Sequence, residues 1–219
     1  MTQPNFSNLI PFFDKVSDIN RQLLANNIVV TDIPKSKQII ARGDEVGGVY
    51  IVSRGALRVY YQNPEGREGT LYWIEKSQSC ILALNCTFTG LEFPAWVETE
   101  EETQIIMIPS ATFKSVFKNE SIVQFYVFEA LSGRLFEMMQ LLEETASFGL
   151  EARIAALLLR KSQGQGFIEI TQDQIAGHLC TSREVVSRTI KRLAKAGMIA
   201  NQIGIIKILN ANGLQTLLK

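Results

Sequence analysis

The stretch from Ser121 to Ala146 constrains the fold most, because it contains no proline and a single glycine, Gly133. Proline and glycine are the residues that end or weaken helices, so the stretch predicts one helix, long for a globular domain. A stripe of side chains recurs along it at spacings of three and four: Phe128, Leu131, Leu135, Met138, Leu142 and Thr145. This heptad pattern is typical of a two-helix coiled coil and predicts a homodimer.

The stripe could instead pack on the chain's own remaining domain, as helices usually do. A second apolar set lies on other faces of the same helix and comprises Phe125, Val127, Ala130 and Met139. We therefore expect one set to cover the chain's own core and the other to meet the partner helix.

The residues before this helix predict a small β domain. Between residues 35 and 110, β-rich runs of about five residues alternate with turn sequences such as Arg42-Gly43-Asp44. The runs are Gln38 to Ala41, Val49 to Val52, Leu57 to Tyr61, Thr70 to Ile74 and Gln104 to Ile108. Strands at this spacing indicate a small sandwich or barrel. No alternation of strands and helices is present, so a dinucleotide-binding fold is not expected.

Composition excludes several classes of protein. No apolar run approaches the ~18 residues of a membrane span, and residues 1–10 lack the pattern of a secretory signal. Three cysteines do not make a disulfide framework, so we expect a cytoplasmic protein without membrane association. The net charge of zero hides an asymmetry: from Leu150 onward there are ten Lys/Arg against four Asp/Glu. A basic C-terminal third indicates a polyanionic partner.

The segment Ile170 to Ile199 predicts a helix-turn-helix followed by a wing. Thr171 and Gln174 fit a capping box that opens a first helix, and Cys180-Thr181-Ser182 is a short polar break. Thr181 or Ser182 can cap the next helix, in which we expect four residues to face inward: Val185, Ile190, Leu193 and Met198. Ala196-Gly197 ends this helix, and Ile199 to Leu209 is expected to form a β-ribbon.

The second of these helices carries the functional prediction, and we call it the reading helix. It exposes Arg183, Glu184, Ser187, Arg188 and Lys191 on its outer side. Arginine donates two hydrogen bonds to guanine, a carboxylate accepts from the cytosine amino group, and serine suits several base edges. These side chains therefore predict double-stranded DNA as partner, read in the major groove. Alternatively, Glu184 completes a capping box with Thr181 or pairs with Arg188.

Residues 30 to 210 resemble the Crp/Fnr regulators, the group of the cAMP receptor protein and the fumarate-nitrate reductase regulator. The resemblance lies in Gly43-Asp44, Tyr50-Ile51-Val52, Gly55, Leu57 and Val59, in the long helix, and in Ser182 to Arg188. It implies a dimer on an inverted repeat with TTGAT- or TGTGA-like half-sites, with RNA polymerase as a further partner. Arg183 and Arg188 would contact guanine, Glu184 cytosine and Ser187 a neighbouring base, and Thr171, Ser182 and Lys191 would contact phosphates. The family's usual turn glycine is Cys180 here.

The same resemblance predicts that the sensor does not bind cAMP tightly. Where cAMP-binding members have a Gly-Glu pair and an arginine, this chain has Ile81-Leu82 and Phe93, and Thr70 to Thr103 contains no arginine. Burying a phosphate without a cation would cost several kcal/mol. No cofactor is expected: the first 79 residues lack cysteines for an iron–sulfur cluster, and the only histidine, His178, lies in the helix-turn-helix and is expected to be structural or to face phosphate.

Cys80 and Cys86 are the remaining chemistry of the sensor. They are candidates for a thiol, persulfide or metal input, or they are two small buried hydrophobic residues. Six residues separate their Cα atoms by about 20 Å in an extended strand and by about 9 Å in a helix, both more than the roughly 4.4–6.8 Å of a disulfide. Only a local loop would bring the pair together. A third interpretation is an apolar effector in a pocket lined by Leu82, Leu84, Phe88 and Phe93.

Together these observations predict an α+β protein. Residues 1–118 would form a β-roll sensor, 119–147 the dimerisation helix and 148–219 a winged helix-turn-helix. The main alternative is a cyclic-nucleotide-type module that acts on protein partners, as in kinase regulatory subunits. The sequence shows no group of residues typical of a nucleophile with its base or of a catalytic metal site, so it does not predict an enzyme.

Overall fold

The computed structural model describes residues 6–162 and 164–218, apart from the side chains of residues 144–146. The chain divides into two compact units. The first contains Met1–Tyr61 and Leu71–Phe136, and the second contains Gln62–Thr70 and Glu137–Lys219. The second unit therefore includes a short segment from the N-terminal half of the sequence.

The first unit contains two β-sheets, and the paired strands within each sheet are antiparallel. The strands are β1 (Val29–Ile33), β2 (Gln38–Ile40), β3 (Gly48–Arg54), β4 (Leu57–Gln62), β5 (Glu68–Ile74), β6 (Trp96–Thr99) and β7 (Thr103–Pro109). One sheet has the order β1-β7-β3 and the other β2-β6-β4-β5. The five predicted runs are all strands, and β1 and β6 add to them.

Three helices of this unit are α1 (Asp18–Asn27), α2 (Ile81–Thr89) and α3 (Ser110–Asn119), and the first part of α4 (Ser121–Ser147) also belongs to it, up to Phe136. One core cluster joins the two sheets to α2 through residues such as Val59, Ile74 and Ala83. A second joins β3 and β7 to the N-terminal segment, α3 and the start of α4, with Phe12 and Phe113 fully buried at its centre. Burial of these apolar side chains is the main force that holds the unit together.

One face of helix α4 is buried and another face is exposed. Val123, Val127 and Arg134 are buried against the first unit. The heptad stripe is exposed at Phe128, Leu131, Leu135, Met138 and Leu142; Thr145 lies outside the described side chains. Of the second apolar set, Val127 covers the core, whereas Phe125 and Met139 are exposed like the stripe, so the two sets do not divide cleanly between the core and a partner as expected. Both residues lie on the side of the helix next to the stripe, so they widen its exposed apolar surface.

The second unit is a winged helix-turn-helix. Its helices are α5 (Leu150–Ser162), α6 (Gln172–His178), α7 (Arg183–Lys195) and α8 (Ala211–Thr216), and its strands are β8 (Phe167–Glu169), β9 (Ile199–Gln202) and β10 (Ile205–Ile208). The strands form a sheet in the order β8-β10-β9. Helix α7 and the β9–β10 wing match the prediction, whereas β8 and α8 were not predicted. Within the described part of the chain, no helix has the length and apolarity needed to cross a membrane.

Candidate nucleic-acid interface

Side-chain caps fix the starts of both helices of the helix-turn-helix. Thr171 Oγ1 accepts from the Gln174 amide at 3.2 Å, and Gln174 Oε1 accepts from the Thr171 amide at 2.8 Å. This reciprocal pair is the predicted capping box. Ser182, not Thr181, caps α7, because its Oγ accepts from the Val185 amide at 3.4 Å. The caps satisfy amide groups that helix starts leave without partners.

The turn between the helices is tight and left-handed at one residue. Cys180 has φ +51°, a conformation that costs a residue with a Cβ of order 1 kcal/mol. The Thr181 amide donates to the Ala176 carbonyl at 3.0 Å, which closes the turn over the end of α6. A residue with a Cβ thus occupies a left-handed turn position, which glycine adopts without strain.

Helix α7 packs one side on the unit's core and exposes the other. Val186, Ile190 and Leu193 are fully buried, at spacings of four and three. The expectation that Val185 faces inward is wrong in part: Val185 is only half-buried, because the adjacent Val186 lies on the side shared with Ile190 and Leu193. Met198 is likewise half-buried.

The outer side of α7 presents the predicted base-reading residues. Arg183, Glu184, Arg188 and Lys191 are exposed, and Ser187 is half-buried between them. The structure does not pair Glu184 with Thr181 as a capping box, since Ser182 is the cap. Its own backbone amide, the Ser182 hydroxyl and neighbouring arginines lower the pKa of Glu184. The carboxylate is therefore ionised at neutral pH and available as an acceptor.

The three predicted phosphate-contacting residues also lie on accessible parts of this unit. Thr171 and Lys191 are exposed, and Ser182 is half-buried. The oxygens of Thr171 and Ser182 accept bonds from helix amides, which leaves each hydroxyl proton to donate outward. Arg183 pairs with Asp173 at 3.5 Å, both side chains being largely exposed; such a surface pair holds the arginine weakly.

Cys80 and Cys86, the candidate thiol pair of the first unit, lie at the start and in the middle of one helix and are buried. Cys80 occupies the N-cap position of α2 without a capping hydrogen bond from its side chain, and Cys86 lies in the second turn, so the helical separation of about 9 Å applies. Burial raises the pKa of Cys80 to about 11, with the Tyr72 hydroxyl 3.9 Å from its sulfur. The Cys86 thiol donates to the Glu92 carbonyl at 3.7 Å, and burial raises its pKa as well. Neither thiol has the lowered pKa of a reactive cysteine.

The four apolar residues expected to line one pocket do not come together. Leu82 and Phe93 pack in the cluster between the sheets, whereas Leu84 belongs to the cluster with the N-terminal segment. Phe88 packs against Phe117 on the α3 side, with the ring centroids 4.7 Å apart and the ring planes tilted by 59°. The error arises because α2 is a helix, so neighbouring residues along it point into different clusters.

Two buried arginines of the first unit, Arg58 and Arg134, were not predicted as features of this domain from the sequence. Arg58 pairs with Glu98 at 2.7 Å. The Arg134 guanidinium lies 4.2 Å from the centre of the Tyr72 ring and donates to the Trp73 carbonyl at 3.5 Å. Arg134 lies on α4, outside the stretch in which a cyclic-nucleotide phosphate would be bound, so spacing along the sequence gave no signal of it.

Two family models match the two halves of this architecture. Residues 30–120 match the cyclic nucleotide-binding domain, and residues 152–217 match the Crp-like helix-turn-helix domain. The chain belongs to the Crp/Fnr family of transcription regulators.

Individual relatives of this Crp/Fnr regulator agree with the assignment. The cyclic AMP receptor protein of Thermus thermophilus is 25% identical over 180 residues, which cover 81% of this chain and 82% of the relative. The cAMP-activated global transcriptional regulator Vfr of Pseudomonas aeruginosa is 22% identical over 171 residues, 74% of this chain and 80% of the relative. A crystal structure described as a Crp/Fnr-family regulator from Eubacterium rectale has a TM-score of 0.88 at 28% identity, covering 96% of this chain and 99% of that one.

We expect the Ser182→Ala variant of this Crp/Fnr regulator to lose about 1 kcal/mol of unfolding free energy, because the N-terminal amides of α7 lose their cap. Urea unfolding measures the change. Thr181→Ala is the matched control, since its neighbouring hydroxyl does not cap the helix and its loss should have little effect. An equal loss in both variants would contradict the assignment of the cap.

Proposed function

We propose that the protein binds an inverted repeat with TTGAT- or TGTGA-like half-sites and regulates transcription there. The exposed outer side of α7, capped at Ser182 and flanked by the wing, is the observation that supports this most. Recognition helices contact base edges through their N-terminal residues, and those residues here are arginine, glutamate and serine.

Each exposed residue of α7 has a role in this proposal. Arg183 and Arg188 donate to guanine, and Glu184, which is ionised, accepts from a cytosine amino group. Ser187 contacts a neighbouring base. The side chains of Thr171, Ser182 and Lys191 bind phosphates, which fixes the helix in the groove without reading sequence.

We further propose that two copies associate through the exposed stripe of α4. Leaving this row of large apolar side chains in water would be unfavourable, and a parallel partner helix would cover it. The division of labour follows the boundaries predicted from sequence: residues 1–118 sense, 119–147 dimerise and 148–219 bind DNA in the cytoplasm. RNA polymerase is the proposed partner through which bound DNA is transcribed or silenced.

The effector is proposed not to be cAMP, although the relative from Pseudomonas aeruginosa is described as cAMP-activated. The side chains of Ile81 and Leu82 offer no hydrogen-bonding groups for a ribose. Phe93 is a buried aromatic residue at the position where the resemblance places the arginine of cAMP-binding members. The buried Arg134 is engaged with Tyr72 and Trp73. A buried phosphate would therefore meet no cation in this stretch of the sensor, which disfavours its binding.

Fluorescence anisotropy tests the proposal directly. A labelled TTGAT–ATCAA inverted repeat should bind more tightly than a scrambled duplex, and saturating cAMP should leave both affinities unchanged. Equal affinity for the two duplexes would reject the half-site assignment. A clear increase in affinity with cAMP would reject the proposed insensitivity to this nucleotide.

The buried cysteines favour a structural role over a thiol switch. With a pKa of about 11, only about one Cys80 thiol in several thousand is ionised at pH 7.5, and the side chain is buried. We expect iodoacetamide to label the half-buried Cys180 before Cys80, as judged by mass spectrometry of native protein over time. Rapid labelling of Cys80 would contradict a purely structural role and would support a thiol switch.

A further inference from the structure

The segment Gln62–Thr70, which contains the last residue of β4, the turn after it and the first three residues of β5, belongs to the second unit together with the helix-turn-helix. Gly69 forms an antiparallel β-bridge with Leu179, the residue directly after α6. Thr70 Oγ1 lies 3.0 Å from Nδ1 of His178, the last residue of α6. A backbone bridge and a side-chain bond on consecutive residues hold the segment next to the turn, and His178 takes part in this contact.

This docking site is itself firmly held. The Leu179 amide donates to the Ile175 carbonyl at 3.1 Å, and the Leu179 carbonyl accepts from Arg153 Nη2 at 3.2 Å. Cys180, with its positive φ, follows immediately. The segment is therefore fixed relative to the position from which the reading helix starts, three residues further on.

Arg67 lies in this segment, two residues before the bridge. Its side chain is 53% exposed and pairs with Glu65 at 3.3 Å, which is also largely exposed. Such a pair is weak in water and is easily exchanged for another anion. The Arg67 charge contributes to the lowered pKa of Glu184, after the larger effects of the Glu184 amide, Ser182 and Arg183. Arg67 is therefore near the N-terminal end of α7.

The outer side of α7 stays open while the segment is docked. Arg183, Glu184 and Arg188 are exposed in the same structure. Docking of the segment is thus compatible with entry of this helix end into a major groove, where the groups that flank the helix meet the sugar–phosphate edges.

We propose that Gln62–Thr70 is part of the DNA-binding surface and that Arg67 binds a backbone phosphate beside the half-site. This inference rests on the proposed function of α7. A guanidinium binds a phosphate through two parallel hydrogen bonds. On DNA binding, a backbone phosphate would replace Glu65 as the anion that pairs with Arg67. Thr70 is a positioning residue that keeps Arg67 in place through His178.

Arg67→Gln tests the phosphate contact. Its affinity for the inverted repeat should fall about 3- to 10-fold near 0.15 M salt, and the slope of log affinity against log salt should decrease by about one. Glu65→Gln is the matched control in the same segment. It frees Arg67 from its partner, so affinity should rise or stay constant. A loss of affinity in both variants, or in neither, would overturn the proposal.

A methylphosphonate scan of the duplex separates a direct contact from a diffuse charge effect. One neutralised phosphate should weaken wild-type binding but leave Arg67→Gln binding unchanged. Thr70→Val, which keeps every charge, should reduce the sensitivity at that same phosphate. Uniform sensitivity at all phosphates in both proteins would overturn the assignment, as would tighter binding by Thr70→Val. If wild-type protein lacks sequence preference, the proposed function fails, yet the salt slope of Arg67→Gln on any duplex still tests the contact.

Discussion

A glutamate at Leu135 should convert the protein to monomers and lower its affinity for the inverted repeat at least about 100-fold. Leu135 is 60% exposed at the middle of the α4 stripe, where dimerisation would bury it. A carboxylate buried there without a partner charge is strongly destabilising, and a monomer loses the gain from binding two linked half-sites together. Sedimentation equilibrium and anisotropy measure the two effects.

Gln140→Glu is the control for this prediction. Gln140 is exposed on the same helix, but it lies five residues after Leu135 and therefore on the side of α4 that faces away from the heptad stripe. It should remain dimeric and bind the repeat with near wild-type affinity. Dissociation of both variants to the same extent would place the interface on another face of α4, and a dimeric Leu135→Glu variant would reject the helix as the interface.

Glu184→Ala should relax the preference for one base pair of each half-site by roughly 10- to 100-fold, which corresponds to about 1–3 kcal/mol. The cause is loss of an ionised acceptor from the outer side of α7. Because no phosphate contact is removed, the salt dependence should stay nearly unchanged. Anisotropy on a panel of duplexes, each with one base pair replaced, gives the preference at every position.

Lys191→Ala is the contrasting variant, since a lost phosphate contact weakens binding to all sequences alike and lowers the salt slope by about one. If Glu184→Ala behaved in this uniform way, Glu184 would not be a base-reading residue. If both variants changed the same single base preference, the assignment of Lys191 to phosphate would be wrong.

Periodic patterns explain which elements could be predicted from the sequence. The absence of proline, and of glycine apart from Gly133, predicted α4 to within a residue, and capping chemistry located the start of α6 at Thr171. Strand β1 was not predicted, because most of its residues are exposed and the strand therefore lacks the alternation of a half-buried strand. Strand β6 is only four residues long, Trp96–Thr99, and so short a run carries little pattern.

Contacts between distant residues account for what sequence could not supply at the sites. Arg134 on a long helix resembles a solvent-exposed arginine until the fold brings it over Tyr72. The two adjacent valines at 185 and 186 are equally apolar, and only the positions of Ile190 and Leu193 decide that Val186 is the buried one. The docking of Thr70 against His178 joins residues 108 positions apart, which no local pattern encodes.

The discontinuous second unit has a consequence for engineering. A chimaera made by fusing residues 148–219 to a foreign sensor would transplant α5 to α8 but leave behind Gln62–Thr70, which packs in the same unit. The grafted reader would lack the backbone bridge at Leu179 and the hydrogen bond at His178. Exchange of modules between such regulators therefore requires the β4–β5 connection to travel with the C-terminal graft, as two cuts in the gene instead of one.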